Sequence, residues 1–284
     1  MTAELLLRAT AQVGESPLWD DRTGELVWID MPTGELHRVD PGTGVDRVRL
    51  VGGALGAVAV RAAGGFVAAY PDGFGLIGSG PLEPLAAVLP EPELRMNDAK
   101  CDPAGRFWAG STEVGFAPGR GALRCLHSDG RVDAVWAGLV LPNGLGWSPD
   151  GRTFYLADSV ARVVYRADFD PAAGRLGDRV PWLSPGWGEA MPDGLCVDDE
   201  GCVWLALWGG SEVRRYAPSG RLVGTVALPV SQAASCVLGP GPTLYVTTAR
   251  AGLSAAALAA EPLAGSVFAV PAPAAATPLG SYAG

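Results

Sequence analysis

A chain of 284 residues that is 48% hydrophobic and 18% charged carries enough apolar material for a large core. No linker divides it, so a single domain spanning 1–284 is expected. The net charge of −9 at pH 7 argues against a nucleic-acid partner, which would need a basic face, and no stretch approaches the ~20 apolar residues of a membrane helix. The start of the chain lacks the basic region and long apolar run of a secretory signal, and its five cysteines show no C-x-x-C spacing. Reduced, buried thiols in a cytoplasmic protein are therefore expected, with neither nucleic acid nor membrane as partner.

In chain order, a turn followed by an apolar or aromatic strand recurs six times. The pairs are Asp20–Gly24 with Val27-Trp28, Ala63–Gly65 with Phe66-Val67, and Asp102–Gly105 with Phe107-Trp108. Ser148–Gly151 with Phe154-Tyr155, Asp198–Gly201 with Val203-Trp204, and Gly239–Gly241 with Leu244-Tyr245 complete the series. Each turn opens on a polar or small residue and contains a glycine suited to positive φ, the chemistry that joins two antiparallel strands. A period of roughly 40–50 residues is that of propeller blades. The fold predicted is all-β: a six-bladed β-propeller with four antiparallel strands per blade. A sandwich fits an even six-fold period poorly. The leftover strand Glu4–Ala9 is expected to join the sheet built from Ser266–Val270 and close the ring.

Innermost strands surround a propeller's axis, so the residues that open them converge on the channel mouth. Eight positions before the turn glycines stand Asn97, Asn143 and Asp193, with Gly56 at the second unit. Glu15 matches in the first unit, which has one extra residue, and the sixth offers only Ala234-Ser235. Asn143 and Asp193 each lie in ordinary Pro-x-Gly turn tripeptides, but turn chemistry alone does not align acids and amides on one axis. A ring of oxygen donors is costly to bury without a positive charge among them. All-oxygen ligation suits Ca²⁺, Mg²⁺ or Mn²⁺.

Several ordered motifs now carry a resemblance. They are Gly14-Glu15-Ser16-Pro17-Leu18-Trp19, Arg95-Met96-Asn97-Asp98, Asp102–Gly110, Pro142–Gly151, Tyr155–Ser159 and Pro192–Asp198. Together they resemble the senescence marker protein / gluconolactonase (regucalcin-like) family over nearly the whole chain. The resemblance implies a six-bladed propeller that binds one divalent cation and hydrolyses sugar lactones. Ca²⁺ is the first expectation for that cation, with Zn²⁺, Mn²⁺, Mg²⁺ or Fe²⁺ as alternatives. By position, Glu15, Asn143 and Asp193 are similar to the family's metal ligands, and Arg95 and Asn97 to its pair of substrate contacts. In the related diisopropyl fluorophosphatase type of propeller an Asn at the position of Asn97 approaches the metal, which leaves its role open. Glu113, in Gly110-Ser111-Thr112-Glu113, is a candidate substrate contact or a rim charge.

The expected function is a metal-dependent hydrolase opening a small lactone, with Asp193 taking a proton from water. Arg95 supplies a planar set of donors for substrate oxygens, or else pairs with Asp98. The alternatives are a phosphoester hydrolase on the same site and a non-catalytic calcium- or ligand-binding propeller. A serine-hydrolase route lacks its parts: His37 and His127 fall on outer strands, and no G-x-S-x-G elbow exists. Tyr70, Asp158 and Trp208 are candidate pocket walls. The loops Val114–Arg120 and Pro185–Ala190 are expected to set specificity, the second with Trp187 and Glu189 as a partial lid.

Overall fold

The computed structural model describes residues 1–184 and 186–284; Pro185, in the predicted lid loop, lies outside the described residues. After β1 (Glu4–Leu7) the chain winds through six antiparallel sheets. Blade one holds β2 (Gly14–Asp20), β3 (Glu25–Asp30), β4 (Glu35–Asp40) and β5 (Val45–Leu50). Blade two holds β6 (Ala57–Val60), β7 (Phe66–Tyr70), β8 (Gly73–Ile77) and β9 (Leu82–Ala87). Blade three holds β10 (Leu94–Cys101), β11 (Phe107–Glu113), β12 (Gly121–Leu126) and β13 (Val132–Leu139). Blade four holds β14 (Pro142–Trp147), β15 (Thr153–Asp158) and β16 (Val163–Asp170), then a divided outer edge of β17 (Arg175–Leu176) and β18 (Val180–Leu183). Blade five holds β19 (Met191–Val197), β20 (Val203–Trp208), β21 (Glu212–Tyr216) and β22 (Leu222–Ala227). Blade six holds β23 (Ala233–Gly239), β24 (Thr243–Thr248) and β25 (Val267–Pro271), with the short helix α1 (Ala255–Ala260) between the last two.

The fourth strand of blade six is β1, paired antiparallel with β25 through Glu4↔Ala269 and Leu5↔Phe268, as the leftover strand predicts. That pairing removes an open edge. Blade four departs from the four-strand expectation because β16 is long enough to pair with both β17 and β18.

All six turn glycines that set the sequence register adopt positive φ, from 65° at Gly241 to 98° at Gly64, a region in which a side chain is strained. The second strand of each blade carries the core. In blades three and five the Asp that follows the inner strand accepts a hydrogen bond from the indole of a Trp six residues on. These are Trp108 Nε1 to Asp102 Oδ2 (2.9 Å) and Trp204 Nε1 to Asp198 Oδ2 (3.0 Å). The turn aspartates thus satisfy buried indoles as well as backbone. In blade one the extra turn residue breaks this spacing, and Trp28 instead stacks on His37 with ring centroids 3.7 Å apart.

Inner strands β2, β10, β14, β19 and β23 each carry a register shift against their second strand, at or next to the position aligned in the sequence. Only β6, which follows Gly56, pairs without a shift. A bulge re-aims side chains, so consecutive residues such as Asn97 and Asp98 both reach the interior. At Gly56 the neighbouring backbone passes close: a Cβ there would meet the Asn97 carbonyl oxygen at 2.5 Å.

Beyond blade six, residues 274–284 cross the end opposite the mouth. Ala276 bridges Asp198, Tyr282 exchanges backbone hydrogen bonds with Val60 and Ala62, and the Tyr282 hydroxyl donates to the His127 carbonyl oxygen (3.0 Å). A cavity of about 360 Å³ lies between this segment and the inner strands, with Ser16, Asp98 and Lys100 in its wall. No described helix is long and apolar enough to cross a membrane. The five cysteines are free and buried.

Candidate metal and substrate site

Glu15, Asn97, Asn143 and Asp193 open four inner strands and are all buried, between 2% and 7% exposed. They form two groups that meet.

The first group is Glu15, Asn143 and Asp193. Burial, with Asp98 nearby, pushes the Glu15 carboxyl up to about 8. The Ser16 N–H donates to Glu15 Oε2 (3.0 Å) and opposes that rise. Asp193 is raised well above the usual carboxylate range by burial and then by Glu15 and Asp98, while the Asn143 side chain and the Gly194 N–H oppose the shift. Asp193 therefore feels Glu15, and Asn143 lies beside Asp193. Asn143 Nδ2 donates to Ser159 Oγ (3.1 Å), which leaves Oδ1 without a partner. Asp193 Oδ1 is likewise buried and unpartnered. Buried acceptors are rarely left unpaired in native proteins.

Two carboxylates and an amide with unused acceptor oxygens fit a hard divalent cation, which prefers oxygen donors and relieves the cost of gathering acids. Among the described residues no group of three or more His, Cys, Asp or Glu side chains is disposed to hold a metal. The set here has only two acids.

The second group is Arg95 and Asn97. Arg95 Nη1 donates to Asn97 Oδ1 (2.7 Å) and to the Met96 carbonyl oxygen (3.1 Å), and lies 3.8 Å from Met31 Sδ. Asn97 Nδ2 donates to the Pro142 carbonyl oxygen (3.0 Å), tying blade three to the strand that carries Asn143. The pairing of Arg95 with Asp98 weighed from the sequence does not form. The Asp98 carboxylate instead accepts from the Ala99 N–H (2.8 Å). Burial also raises the Asp98 carboxyl, and Lys100 offsets that rise. Lys100 Nζ donates to the Leu195 carbonyl oxygen (2.7 Å) in the channel. Sequence alignment missed Asp98 as a third acid of this interior. The signal was the bulge between Met96 and Ala99, which lets two successive residues face inward.

Glu113 ends β11 opposite Leu94, next to the Arg95 pairing position, and its Oε2 accepts from the Ala117 N–H (3.1 Å). It holds its own loop. Asp158 is an architectural acid: its two oxygens accept from the Val140 and Leu141 N–H groups, both at 2.9 Å. The lid expectation for Trp187 is overturned. That side chain is buried, with Nε1 donating to the Tyr216 hydroxyl (2.9 Å) in the core between blades four and five, while Glu189 is exposed. His37 sits on β4 and His127 just beyond β12, both third strands of their blades and away from the mouth.

Residues 13–250 match the family described as the SMP-30/gluconolactonase/LRE-like region. The chain belongs to this family. Among its relatives, regucalcin of Danio rerio is 35% identical over 274 residues, spanning 94% of this chain and 93% of the relative. Regucalcin of Homo sapiens is 34% identical over 279 residues, spanning 93% and 92%. A solved structure of a calcium-binding protein, regucalcin, from Agrobacterium tumefaciens superposes with a TM-score of 0.94 at 26% identity, covering 99% of this chain and 98% of that one. A gluconolactonase from Xanthomonas campestris shares the fold at TM-score 0.76 and 21% identity, covering 95% and 89%. Family membership supports a lactonase-type propeller.

Proposed function

We propose that the protein is a divalent-cation-dependent lactonase, with Ca²⁺ held by Glu15, Asn143 and Asp193 and a small sugar-type lactone as substrate. The observation that carries this reading is the pair of buried, unpartnered oxygens, Asn143 Oδ1 and Asp193 Oδ1, beside the buried carboxylate of Glu15. The Agrobacterium relative is described as calcium-binding, which supports the choice of ion.

The cation, when bound, supplies electrophilic assistance at the lactone carbonyl and charge compensation for the oxyanion that follows. This chain's residues do the remaining work. Arg95 and Asn97 present donors to the substrate's hydroxyl oxygens and orient the ring. Asp193 keeps one carboxylate oxygen free to take a proton from water as the water oxygen bonds to the carbonyl carbon. The ring C–O bond then breaks, and the proton passes to the departing alkoxide, giving an open-chain hydroxy acid. Glu15 and Asp98 stay in the interior as negative charge, and Lys100 beneath them limits its build-up.

The test is acid release from aldonolactones by wild type and Asp193→Ala, each stripped with chelator and then resupplied with Ca²⁺. Chelator-sensitive turnover that is lost in Asp193→Ala is expected. Hydrolysis that ignores the chelator overturns cation dependence. Saturable Ca²⁺ binding with no turnover of lactone or phosphoester leaves a binding protein instead.

A further inference from the structure

Asn143 poses a problem that Glu15 and Asp193 do not. A carboxylate offers two equivalent oxygens, so either face of it serves a cation. An amide offers one oxygen and one NH₂, and a half-turn about its last torsion replaces an acceptor with a donor. Something must fix that turn if Asn143 is to be a ligand.

The last residue of β15 and the one after it supply the means. Asp158 accepts from the Val140 and Leu141 N–H groups, which anchors the backbone just ahead of Asn143. Ser159 Oγ then accepts from Asn143 Nδ2 at 3.1 Å, which turns Oδ1 away from the hydroxyl and leaves it unpartnered. The Ser159 N–H is used independently, donating to the Leu141 carbonyl oxygen (3.0 Å). Both residues are buried, at 1% and 2% exposure.

Blade one makes the comparison. Asp30, at the end of β3, accepts from the Gln12 and Val13 N–H groups, both at 3.0 Å, just ahead of Glu15. The backbone anchor is therefore repeated, two residues before the candidate ligand in each case. The next residue differs: Met31 follows Asp30 where Ser159 follows Asp158. In blade five, Leu207 pairs with Pro192 as Asp158 pairs with Pro142, so Leu207 and Trp208 stand at the corresponding place, beside the carboxylate ligand Asp193. Of these three blades, the hydroxyl occurs only where the candidate ligand is an amide.

We infer that Ser159 is a positioning residue, which holds the Asn143 amide so that Oδ1 faces the cation, on an anchor set by Asp158. The inference rests on the cation site proposed above. Partners outside the ligand set commonly govern metal affinity by tenfold or more.

Calorimetric titration of chelator-stripped protein with Ca²⁺ tests it. Ser159→Ala is expected to weaken binding about 10- to 100-fold, while circular dichroism and the melting temperature of the metal-free protein stay close to wild type. In an Asn143→Asp background the ligand has two equivalent oxygens, and there Ser159→Ala is expected to cost less than about threefold. Unchanged affinity in Ser159→Ala, or an equal loss in both backgrounds, overturns the positioning role and leaves the cation site standing. Asn143→Ala is the control. If it binds Ca²⁺ as well as wild type does, the proposed ligand set fails and this inference with it.

Discussion

The guanidinium of Arg95 donates to the amide oxygen of Asn97 at 2.7 Å, so the two candidate substrate contacts are one bonded unit. Burial lowers the Arg95 pKa, with Glu15 opposing, which marks it as a desolvated charge near the carboxylates. Removing it frees the Asn97 oxygen as well as losing donors. Arg95→Met is expected to raise KM for a lactone at least tenfold while lowering kcat less. Steady-state kinetics on calcium-loaded enzyme measures both, and a kcat loss with unchanged KM would place Arg95 outside ground-state substrate binding.

Glu113 points the other way. Its carboxylate is committed to the Ala117 N–H, so Glu113→Gln, which keeps an acceptor there, is expected to change kcat/KM by less than about threefold. A loss of a hundredfold in the same assay would establish direct contact with substrate.

The metal-free protein should lose stability as pH rises. Unfolded, Glu15 titrates near its ordinary 4.5, and folded it titrates at about 8. Between those values the native state binds more protons than the unfolded chain, so unfolding free energy falls with increasing pH and is highest below the window. Asp98 and Asp193, both raised, push in the same direction. Urea titrations of chelated protein across about pH 5 to pH 8 should show a falling midpoint. Saturating Ca²⁺ should remove most of that slope, because cation binding expels the protons. A midpoint that climbs with pH in chelator would contradict the burial of these acids.

Asp102 bonds the indole of Trp108, the Arg106 guanidinium (2.5 Å) and the N–H groups of Ala104 and Arg106. Asp102→Ala strands all of them, and buried pairs broken on one side typically cost about 3–5 kcal/mol. Equilibrium denaturation is expected to show a loss of that order, and a change below about 1 kcal/mol would mean the network is not holding blade three.

Packing between inner strands sets a further limit. A Cβ on Gly144 would collide with the Asp193 carbonyl oxygen and the Leu195 N–H. Gly144→Ala must push β14 from β19, separating Asn143 from Asp193. It is expected to lower both stability and Ca²⁺ affinity, read by thermal melts and calorimetry. Unchanged Ca²⁺ affinity would show that the two ligands are not coupled through this contact.

The repeat was legible because turn chemistry is local. Gly24, Gly64, Gly105, Gly151, Gly201 and Gly241 announce positive φ through their own identity, and counting from most of them reaches the mouth. Glu15, Asn97, Asn143 and Asp193 were found by that count and are buried where inner strands begin. Ser159 and Asp158 were less legible, since their roles depend on where β15 ends relative to β14, a register that the bulge shifts. Trp187 misled because a tryptophan in a Gly-rich loop looks like a flap, and only tertiary packing against Tyr216 shows it to be an anchor.

The strand that completes blade six carries a consequence for kinetics. β1 meets β25 across more than 250 intervening residues, through a short pairing that slips between Leu5 and Leu7. Contacts so distant in sequence form late and slow the approach to the native state. Once made, they turn an open arc of blades into a hoop with no free end from which to unravel. Opening that seam becomes a natural first event of unfolding, so substitutions in Glu4–Leu7 should shorten the folded lifetime far more than they delay folding.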